Sequence, residues 1–458
     1  RYPMALETIL RHKKADLLKR TTTRPLSKFR ESLGPSRRSL RAALEKPRTG
    51  FILECKKSSP SRGTLRDDFD PAGIARTYAP FADAISVLTD ERFFDGDPTY
   101  LRQVSEAADV PVLCKDFVLD PYQIFEARLY GADAILLMLS VLDDEAYRAC
   151  ASAAAQLDMD VLTEVHDDTE LRRAVELDAQ IIGINNRNLK TLEVDLATTV
   201  ELAPMVPEDR LVVCESGIAS HRDVVELRGA ADAFLVASAL MEREDLPAAM
   251  RELVFGAVKV CGLTRPEDAA AAHAAGATHG GLIFASQSPR CVDLHGASKV
   301  ADAAALQYVG VFVDADPDQV ATHARDIGLA AVQLHGDEDA GYIEQLREKL
   351  PRDTEIWNVA HIDGAVSTTD SATADRLLLD TFADGKRGGT GETFDWSSLP
   401  ESPDVILSGG LNANNAAAAD AIGAQMLDVN SGVESAPGIK DHNELETFFA
   451  ELRGGRHE

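Results

Sequence analysis

The sequence has little of what a secreted, membrane-spanning or metal-binding protein needs. Its 458 residues include only six cysteines, scattered without a Cys-x-x-Cys pair or histidines at zinc-ligand spacing. Neither a disulfide scaffold nor a metal site is therefore expected. No apolar run approaches the ~20 residues that span a bilayer, and the first residues lack the apolar core of a secretory signal. We expect a cytoplasmic protein that has no metal, no cofactor and no membrane contact.

Positive charge is scarce beyond the first 48 residues. The formal net charge is −28, although residues 1–48 contain 14 Lys and Arg against 4 Asp and Glu. The acidic remainder argues against a nucleic-acid-binding surface. Two interpretations of the basic arm stay open. It is either a solvated helix or a cover over a site that receives anionic substrates.

Short β-branched runs alternate with Ala- and Leu-rich segments of helical period along the rest of the chain. Eight runs extend from FILECK at residue 51 to AFLVAS at 233, and eight more from AVKVCG at 257 to QMLDVN at 425. Strands separated by helices pair in parallel, and eight such units in about 200–250 residues close a (β/α)8 barrel. An open doubly wound sheet is the competing fold, and two sets of eight disfavour it.

We therefore predict an α/β protein of two consecutive (β/α)8 TIM barrels. The first comprises residues 1–254, with residues 1–48 as an extra N-terminal helical arm, and the second comprises residues 255–458.

Polar residues follow the apolar runs of the first barrel where its strands should end. They are Glu54, Lys56, Lys115, Glu164, Asn185, Glu215 and Ser216. Barrel enzymes keep their chemistry at the carboxyl ends of strands, and residues two apart, such as Glu54 and Lys56, point to the same side. A salt-bridge network that only closes the barrel mouth is the alternative. The repetition at five strand ends favours a catalytic site.

In the second barrel the residues at strand ends are more varied. They are Cys261, Arg290, His335, Asp380 and Ser408. A buried cysteine is usually inert, but Cys261 at a strand end, with Asp380 five strands on, is a candidate base or nucleophile. His335 is either a pocket residue or a loop histidine with an ordinary partner.

Small residues cluster at the seventh and eighth runs of both barrels. The segments are ESGI and VASAL in the first barrel, and SGGLNANN and VNSGVES in the second. Backbone N–H groups in such loops bind phosphate, so we predict one phosphate site per barrel. GKRGGTGETFDW, at residues 385–396, lacks the spacing of a nucleotide-binding loop and is predicted to be a flexible lid.

These motifs resemble two known families. ILECKKSSPSRG, PVLCKDFVLDPYQI, LTEVHDD, GINNRNLKTLEVDL and ESGI are similar to indole-3-glycerol-phosphate synthase. KVCGLTRPEDA, GLIFASQSPRCV, VQLHGDE, SGGLNANN and DVNSGVESAPGIKD are similar to phosphoribosylanthranilate isomerase. Their order and direct fusion resemble the bifunctional bacterial enzymes of tryptophan biosynthesis.

The resemblance implies a role for each polar residue of the first barrel. Lys115 would protonate the ketone oxygen of the substrate during ring closure, while Glu54, Lys56 and Glu164 would transfer protons in decarboxylation and dehydration. The residues that would position the substrate are Asn185, Arg187, Glu215 and Ser216. Those that would hold its phosphate are Ser61, Gly217, Ala237 and Ser238. Crowded lysines have depressed pKa values, which would make these lysines better acids near neutral pH.

For the second barrel the resemblance implies an Amadori rearrangement. Asp380 would protonate the furanose ring oxygen, and Cys261 would remove a proton from C2 of the sugar. Arg290 would pair with the anthranilate carboxylate, and His335 would line the pocket. The further substrate-binding residues are Gly389, Gly391, Ser408, Gly409, Gly410, Asn430, Ser431 and Gly432. The partners would be phosphorylated small molecules, and we expect a monomer.

Three other functions are disfavoured. A ketose isomerase of another pathway would carry aspartate where Cys261 stands, and a non-catalytic scaffold would not need complete acid–base sets. A nucleic-acid-binding arm would interleave aromatic with basic residues, which the first 48 residues do not do. We therefore expect no nucleic-acid partner.

Overall fold

The computed structural model describes residues 6–60, 62–189, 191–362, 373–383, 386–387, 396, 399 and 403–454. The chain divides into two units, one ending at Met250 and the other spanning Arg251–Gly454. The predicted boundary between residues 254 and 255 falls inside a helix, Leu246–Phe255, and stays a prediction. The predicted substrate-binding residues Ser61, Gly389 and Gly391 lie outside the described residues. So does the predicted lid, residues 385–396, apart from residues 386, 387 and 396.

The first unit is a closed parallel barrel of eight strands in the described part of the chain. The strands of the barrel are β1 (Gly50–Cys55), β4 (Ala84–Leu88), β5 (Val112–Lys115), β6 (Ala134–Met138), β7 (Asp160–Val165), β8 (Ile181–Asn185), β9 (Leu211–Glu215) and β10 (Ala233–Val236). Between β1 and β4, the strands β2 (Ser58–Ser59) and β3 (Gly63–Thr64) form a separate small hairpin. The ring order is β1-β10-β9-β8-β7-β6-β5-β4.

The helices of this unit precede the first strand, connect successive strands or follow the last one. They are α1 (Leu6–Thr23), α2 (Leu40–Leu44), α3 (Pro71–Tyr78), α4 (Glu91–Phe94), α5 (Thr99–Ala107), α6 (Pro121–Leu129), α7 (Asp144–Ala155), α8 (Asp168–Glu176), α9 (Ala197–Leu202), α10 (His221–Leu227), α11 (Ser238–Met241) and α12 (Leu246–Phe255). Aspartate side chains accept hydrogen bonds from backbone N–H groups at the starts of α4, α6, α7 and α8. These caps satisfy helix N–H groups that have no partner within the helix.

The two ends of the first barrel are closed differently. At the amino ends of the strands, α2 packs Leu40 and Leu44 into the core with Ile52. At the carboxyl ends of β4 and β5, the buried Lys13 of α1 pairs with Asp90 at 2.8 Å and with Asp116 at 2.5 Å. Lys13 thus attaches α1 at the end of the barrel where chemistry is expected, whereas most of the other charged residues of α1 are exposed. Both interpretations of the basic arm therefore stay open.

The second unit closes in the same way. Its strands are β11 (Val258–Val260), β12 (His279–Ile283), β13 (Gln307–Phe312), β14 (Ala331–Leu334), β15 (Glu355–Ile362), β16 (Arg376–Ala383), β17 (Lys386–Arg387), β18 (Ile406–Ser408), β19 (Met426–Val429), β20 (Glu434–Ala436) and β21 (Ile439–Lys440). The pairing of β15 with β16 closes the order β15-β14-β13-β12-β11-β19-β18-β16, and β17 adds antiparallel to β16.

The helices described in this unit are α13 (Pro266–Ala275), α14 (Leu294–Ala301), α15 (Pro317–Ile327), α16 (Ala340–Lys349), α17 (Ala416–Ala421) and α18 (His442–Arg453). The barrel core includes Val309, Trp357, Leu378 and Met426. Within the described residues, no helix is long and apolar enough to span a bilayer. The prediction of two consecutive (β/α)8 barrels preceded by a helical segment is confirmed.

Candidate active sites

Lys115 is the centre of an ion-pair network at the mouth of the first barrel. Its Nζ lies 3.4 Å from Glu54 Oε2 and 3.2 Å from Glu215 Oε2. Lys56 Nζ lies 3.6 Å from the other oxygen of Glu54, and Ser86 donates a hydrogen bond of 3.0 Å to Glu54. Residues from β1, β5 and β9 thus meet at one point, as their positions at strand ends predict.

A second carboxylate, Glu164 on β7, is held from two sides. Asn185 donates a hydrogen bond of 3.0 Å to Glu164 Oε1, and His166 Nε2 forms an ion pair of 3.0 Å with the same oxygen. The other ring nitrogen of His166 lies 3.0 Å from Glu170 on α8. His166 therefore bridges a strand-end carboxylate to a helix.

The pKa values of the two carboxylates on β7 and β9 are shifted in opposite directions. Burial raises the pKa of Glu215, repulsion from Glu164 adds to this, and Lys115 opposes it. Burial also opposes ionisation of Glu164, but His166, Lys115 and Asn185 outweigh it and lower its pKa. Environments that push two pKa values apart separate an acid from a base.

The expectation of depressed lysine pKa values is only half right. Burial lowers the pKa of Lys56, with Lys115 and Arg187 adding to this. The pKa of Lys115 is raised instead, because Glu54, Glu215 and Glu164 together outweigh the effect of burial. The prediction was wrong for Lys115 because it counted neighbouring lysines and not the carboxylates between them.

The predicted phosphate loops of the first barrel adopt tight backbone conformations. Ser216 has φ 66° and Gly217 has φ 96°. A Cβ at Gly217 would lie 2.7 Å from Val194 Cγ1, so only glycine fits against that loop. Ala237 and Ser238 follow β10 at the start of α11. Arg187 follows β8, and its Nη1 donates to Leu192 O at 3.0 Å.

The mouth of the second barrel encloses a cavity of about 630 Å³. Nine of the residues predicted for this site line it, namely Cys261, Arg290, His335, Asp380, Ser408, Gly409, Gly410, Asn430 and Ser431. Gly432 follows Ser431 and forms a β-bridge with Asn412. The structure therefore brings the candidate acid and the candidate base to one cavity.

Within this cavity the buried Asp380 has His335 as a neighbour, since His335 Nε2 lies 3.6 Å from Asp380 Oδ2. Arg290 already forms a bidentate ion pair with Glu434, with Nε at 2.9 Å from Oε1 and Nη2 at 2.7 Å from Oε2. A substrate carboxylate at Arg290 would share the guanidinium with Glu434.

Several residues of these sites were not predicted from the sequence. They are Ser86, His166, Gly183, Lys259, Gln333, Asp428 and Lys440. A Cβ at Gly183 would overlap Glu215 Oε1, so this glycine gives the carboxylate its room. The sequence could have indicated Lys259 and Asp428 as site residues, because they are charged residues inside otherwise apolar runs.

Fold and sites together define an enzyme of two barrels, each with its own cluster of titratable residues at the carboxyl ends of its strands. The model of the family described as "Indole-3-glycerol phosphate synthase" matches residues 6–253. That of "N-(5'phosphoribosyl)anthranilate (PRA) isomerase" matches residues 258–451. The chain belongs to the bifunctional tryptophan-biosynthesis enzymes that join these two activities, synthase first and isomerase second.

Curated relatives cover nearly the whole chain. The tryptophan biosynthesis protein TrpCF of Yersinia pestis is 50% identical over 450 residues, which are 98% of this chain and 94% of that protein. TrpCF of Salmonella typhi is 50% identical over 436 residues, 95% of this chain and 96% of its own. The solved phosphoribosyl anthranilate isomerase from Thermus thermophilus is 32% identical, covering 43% of this chain and 98% of its own, with a TM-score of 0.39.

Proposed function

We propose that the barrels catalyse successive steps on phosphorylated substrates. The second converts N-(5-phosphoribosyl)anthranilate to 1-(2-carboxyphenylamino)-1-deoxyribulose 5-phosphate. The first closes the indole ring of that product with loss of CO₂ and water, giving indole-3-glycerol phosphate. The observation that carries this proposal is the contrast between Lys115, held between two carboxylates, and the Cys261–Asp380 set around an open cavity.

In the isomerase barrel, Asp380 gives a proton to the furanose ring oxygen, and the sugar opens to a Schiff base. Cys261 then takes the proton from C2 of the sugar, and the resulting enolamine tautomerises to the ketone. One acid and one base suffice for this series of reaction steps. Arg290 binds the anthranilate carboxylate through its planar guanidinium, and His335 lines the pocket beside Asp380.

In the synthase barrel, Lys115 protonates the ketone oxygen as the aromatic carbon attacks. Its raised pKa keeps the ammonium charged, so it also stabilises negative charge that develops on this oxygen. Glu54, Lys56 and Glu164 carry the protons of decarboxylation and dehydration. Glu215, whose pKa is raised by burial, supplies an acid beside the ionised Glu164.

The remaining predicted residues bind rather than react. Asn185, Arg187 and Ser216 position the synthase substrate, and backbone N–H groups around Gly217 and Ser238 hold its phosphate. In the isomerase barrel, the loops that begin at Ser408 and Asn430 hold the phosphate in the same way. The roles of Ser61, Gly389 and Gly391 stay predictions. So do the monomeric state, the cytoplasmic location and the lack of a nucleic-acid or membrane partner.

The test supplies freshly made N-(5-phosphoribosyl)anthranilate to the intact protein, without metal or nucleotide. Loss of substrate fluorescence and formation of the indole product are followed together. Appearance of indole-3-glycerol phosphate is the expected result. Consumption of the substrate without formation of the indole product would contradict the role proposed for Lys115. No consumption would contradict the Cys261–Asp380 mechanism, and the synthase substrate added directly would then test the first barrel alone.

A further inference from the structure

We propose that Lys259 is a positioning residue for the isomerase reaction. Its buried ammonium, beneath Cys261, orients the sulfur and favours the thiolate that removes the C2 proton. This inference rests on the proposed role of Cys261 as the base, and it assigns to Lys259 the stabilisation of the thiolate that this role requires.

Lys259 lies directly below Cys261 in the barrel. It is two residues earlier in the chain, at β11, so both side chains point to the barrel interior. Lys259 is fully buried. Its Nζ lies 3.0 Å from Asp428 Oδ2 on the neighbouring β19 and 2.9 Å from Gln333 Oε1 on β14. The ammonium therefore reaches across the interior, under the floor of the cavity.

The space above Gly281 on β12 shows that the side chain of Lys259 and the sulfur of Cys261 lie close together. A Cβ built at Gly281 would lie 2.7 Å from Cys261 Sγ and 3.0 Å from Lys259 Cε. One glycine thus makes room for both side chains, which pass side by side over the same backbone position. Any larger residue there would displace one of them.

The hydrogen-bond capacity of the lysine fits this arrangement. An ammonium has three donors, and two of them go to Asp428 and Gln333. Burial lowers the pKa of Lys259, but Asp428 and then Cys261 raise it. A buried ammonium is costly unless it is paired, and a structural pair with Asp428 alone would not require the sulfur beside it.

The charged groups around Cys261 and Lys259 come from several elements. They are His279 on β12, Asp428 on β19, Lys440 on β21, and Arg290 with its partner Glu434. Burial raises the pKa of the Cys261 thiol and Asp428 adds to this, whereas Lys259 and Lys440 lower it. Of the groups that lower this pKa, Lys259 contributes most.

The experiment measures alkylation of Cys261 by iodoacetamide in the full chain as a function of pH, with the labelled peptide quantified by mass spectrometry. This readout distinguishes Cys261 from the exposed Cys291. We expect Lys259→Met to move the midpoint up by about one pH unit and to slow alkylation about tenfold at neutral pH. Isomerase kcat should fall by a similar factor, with KM little changed. Lys259→Arg should retain most of both.

Two controls separate charge from folding. Lys299→Met removes an exposed lysine of α14 in the same barrel and should leave both readouts unchanged. Should Lys259→Met fail to fold because Asp428 loses its partner, Lys259→Met with Asp428→Asn removes both charges, and a smaller upward shift is expected. An unshifted alkylation profile in a folded variant would overturn the inference. A shifted profile with unchanged isomerase kcat would instead overturn the role of Cys261 as the base.

Discussion

The two barrels share a fold but organise their polar groups in opposite ways. At the first mouth, Lys115 is held within 3.4 Å of two carboxylates from different strands. At the second, Cys261 and Asp380 line a cavity of about 630 Å³, and Arg290, on a loop, forms an ion pair with Glu434 of β20. The first site is a coupled network, whereas the second is a separate acid and base around open space.

This difference matches the number of proton transfers in the two reactions. Ring closure, decarboxylation and dehydration each need a proton at a different atom, and a coupled network holds several groups in different charge states. The isomerisation needs one donor and one acceptor. A change in one member of the first network should therefore disturb its neighbours, whereas at the second site a change at Asp380 should leave Cys261 unaffected.

The largest expected effect is that of Lys115→Ala. We expect synthase kcat/KM to fall about 10³-fold or more, because the variant loses an acid and also leaves Glu54 and Glu215 without their shared cation. Isomerase activity of the same chain is the internal control and should stay unchanged. Loss of both activities would contradict the picture of two independent sites.

Cys261→Ala should give the reverse pattern. Isomerase kcat/KM should fall about 10²- to 10⁴-fold, which is the range for loss of a general base, while synthase activity on its own substrate is retained. Cys291→Ala is the matched control, since that cysteine is exposed. Equal isomerase activity in the two alanine variants would show that the thiol at position 261 is not the base.

A smaller effect is expected from Arg290→Lys. A lysine keeps the charge but loses the planar two-point contact, so the isomerase KM should rise about tenfold with little change in kcat. Arg265→Lys, at a surface arginine that pairs with Asp268, should leave KM unchanged. Steady-state kinetics at fixed ionic strength separate KM from kcat, and a fall confined to kcat would argue against carboxylate binding.

The smallest effects concern stability, because the partly buried His166 of the first barrel and the buried His279 of the second have pKa values shifted in opposite directions. Burial opposes the proton on His166, but Glu164 and Glu170 raise its pKa to about 10. Burial, with Arg376 and Lys259, lowers the pKa of His279 to about 4. The contribution of His166 to stability is complete below its unfolded pKa of about 6.5 and is lost as pH rises through about 10. That of His279 is present above about 6.5 and is lost as pH falls through about 4.

Accordingly, His166→Gln should lower the Tm of the first barrel by about 5 °C near pH 6, and by less above pH 9. His279→Gln should make the second barrel less sensitive to acid between about pH 6.5 and 4. Residual synthase and isomerase activities after heating report the two barrels separately. A His166→Gln effect that grows with rising pH would contradict the ion pair.

The fold was predictable because strands buried on both faces are continuous apolar runs, and each predicted run coincides with a strand of one ring or the other. The carboxyl-end rule also brought Glu54, Lys115 and Glu215 together correctly. What the sequence could not supply was register across strands. The pairing of Lys259 with Asp428 and the space left by Gly183 depend on which residues face each other in neighbouring strands, so no local pattern indicated them. The raised pKa of Lys115 was missed for another reason, because the prediction counted the neighbouring lysines and not the carboxylates around it.

The attachment of α1 also constrains how the protein is made. Lys13 leaves the ribosome about a hundred residues before its partner Asp116. Until Asp116 emerges, Lys13 has only one of its two buried carboxylate partners, Asp90. The docking of α1 is therefore completed only after the strand that carries Lys115 has been synthesised. The ion pair that completes the docking of α1 thus also holds Asp116, the residue next to Lys115, in place.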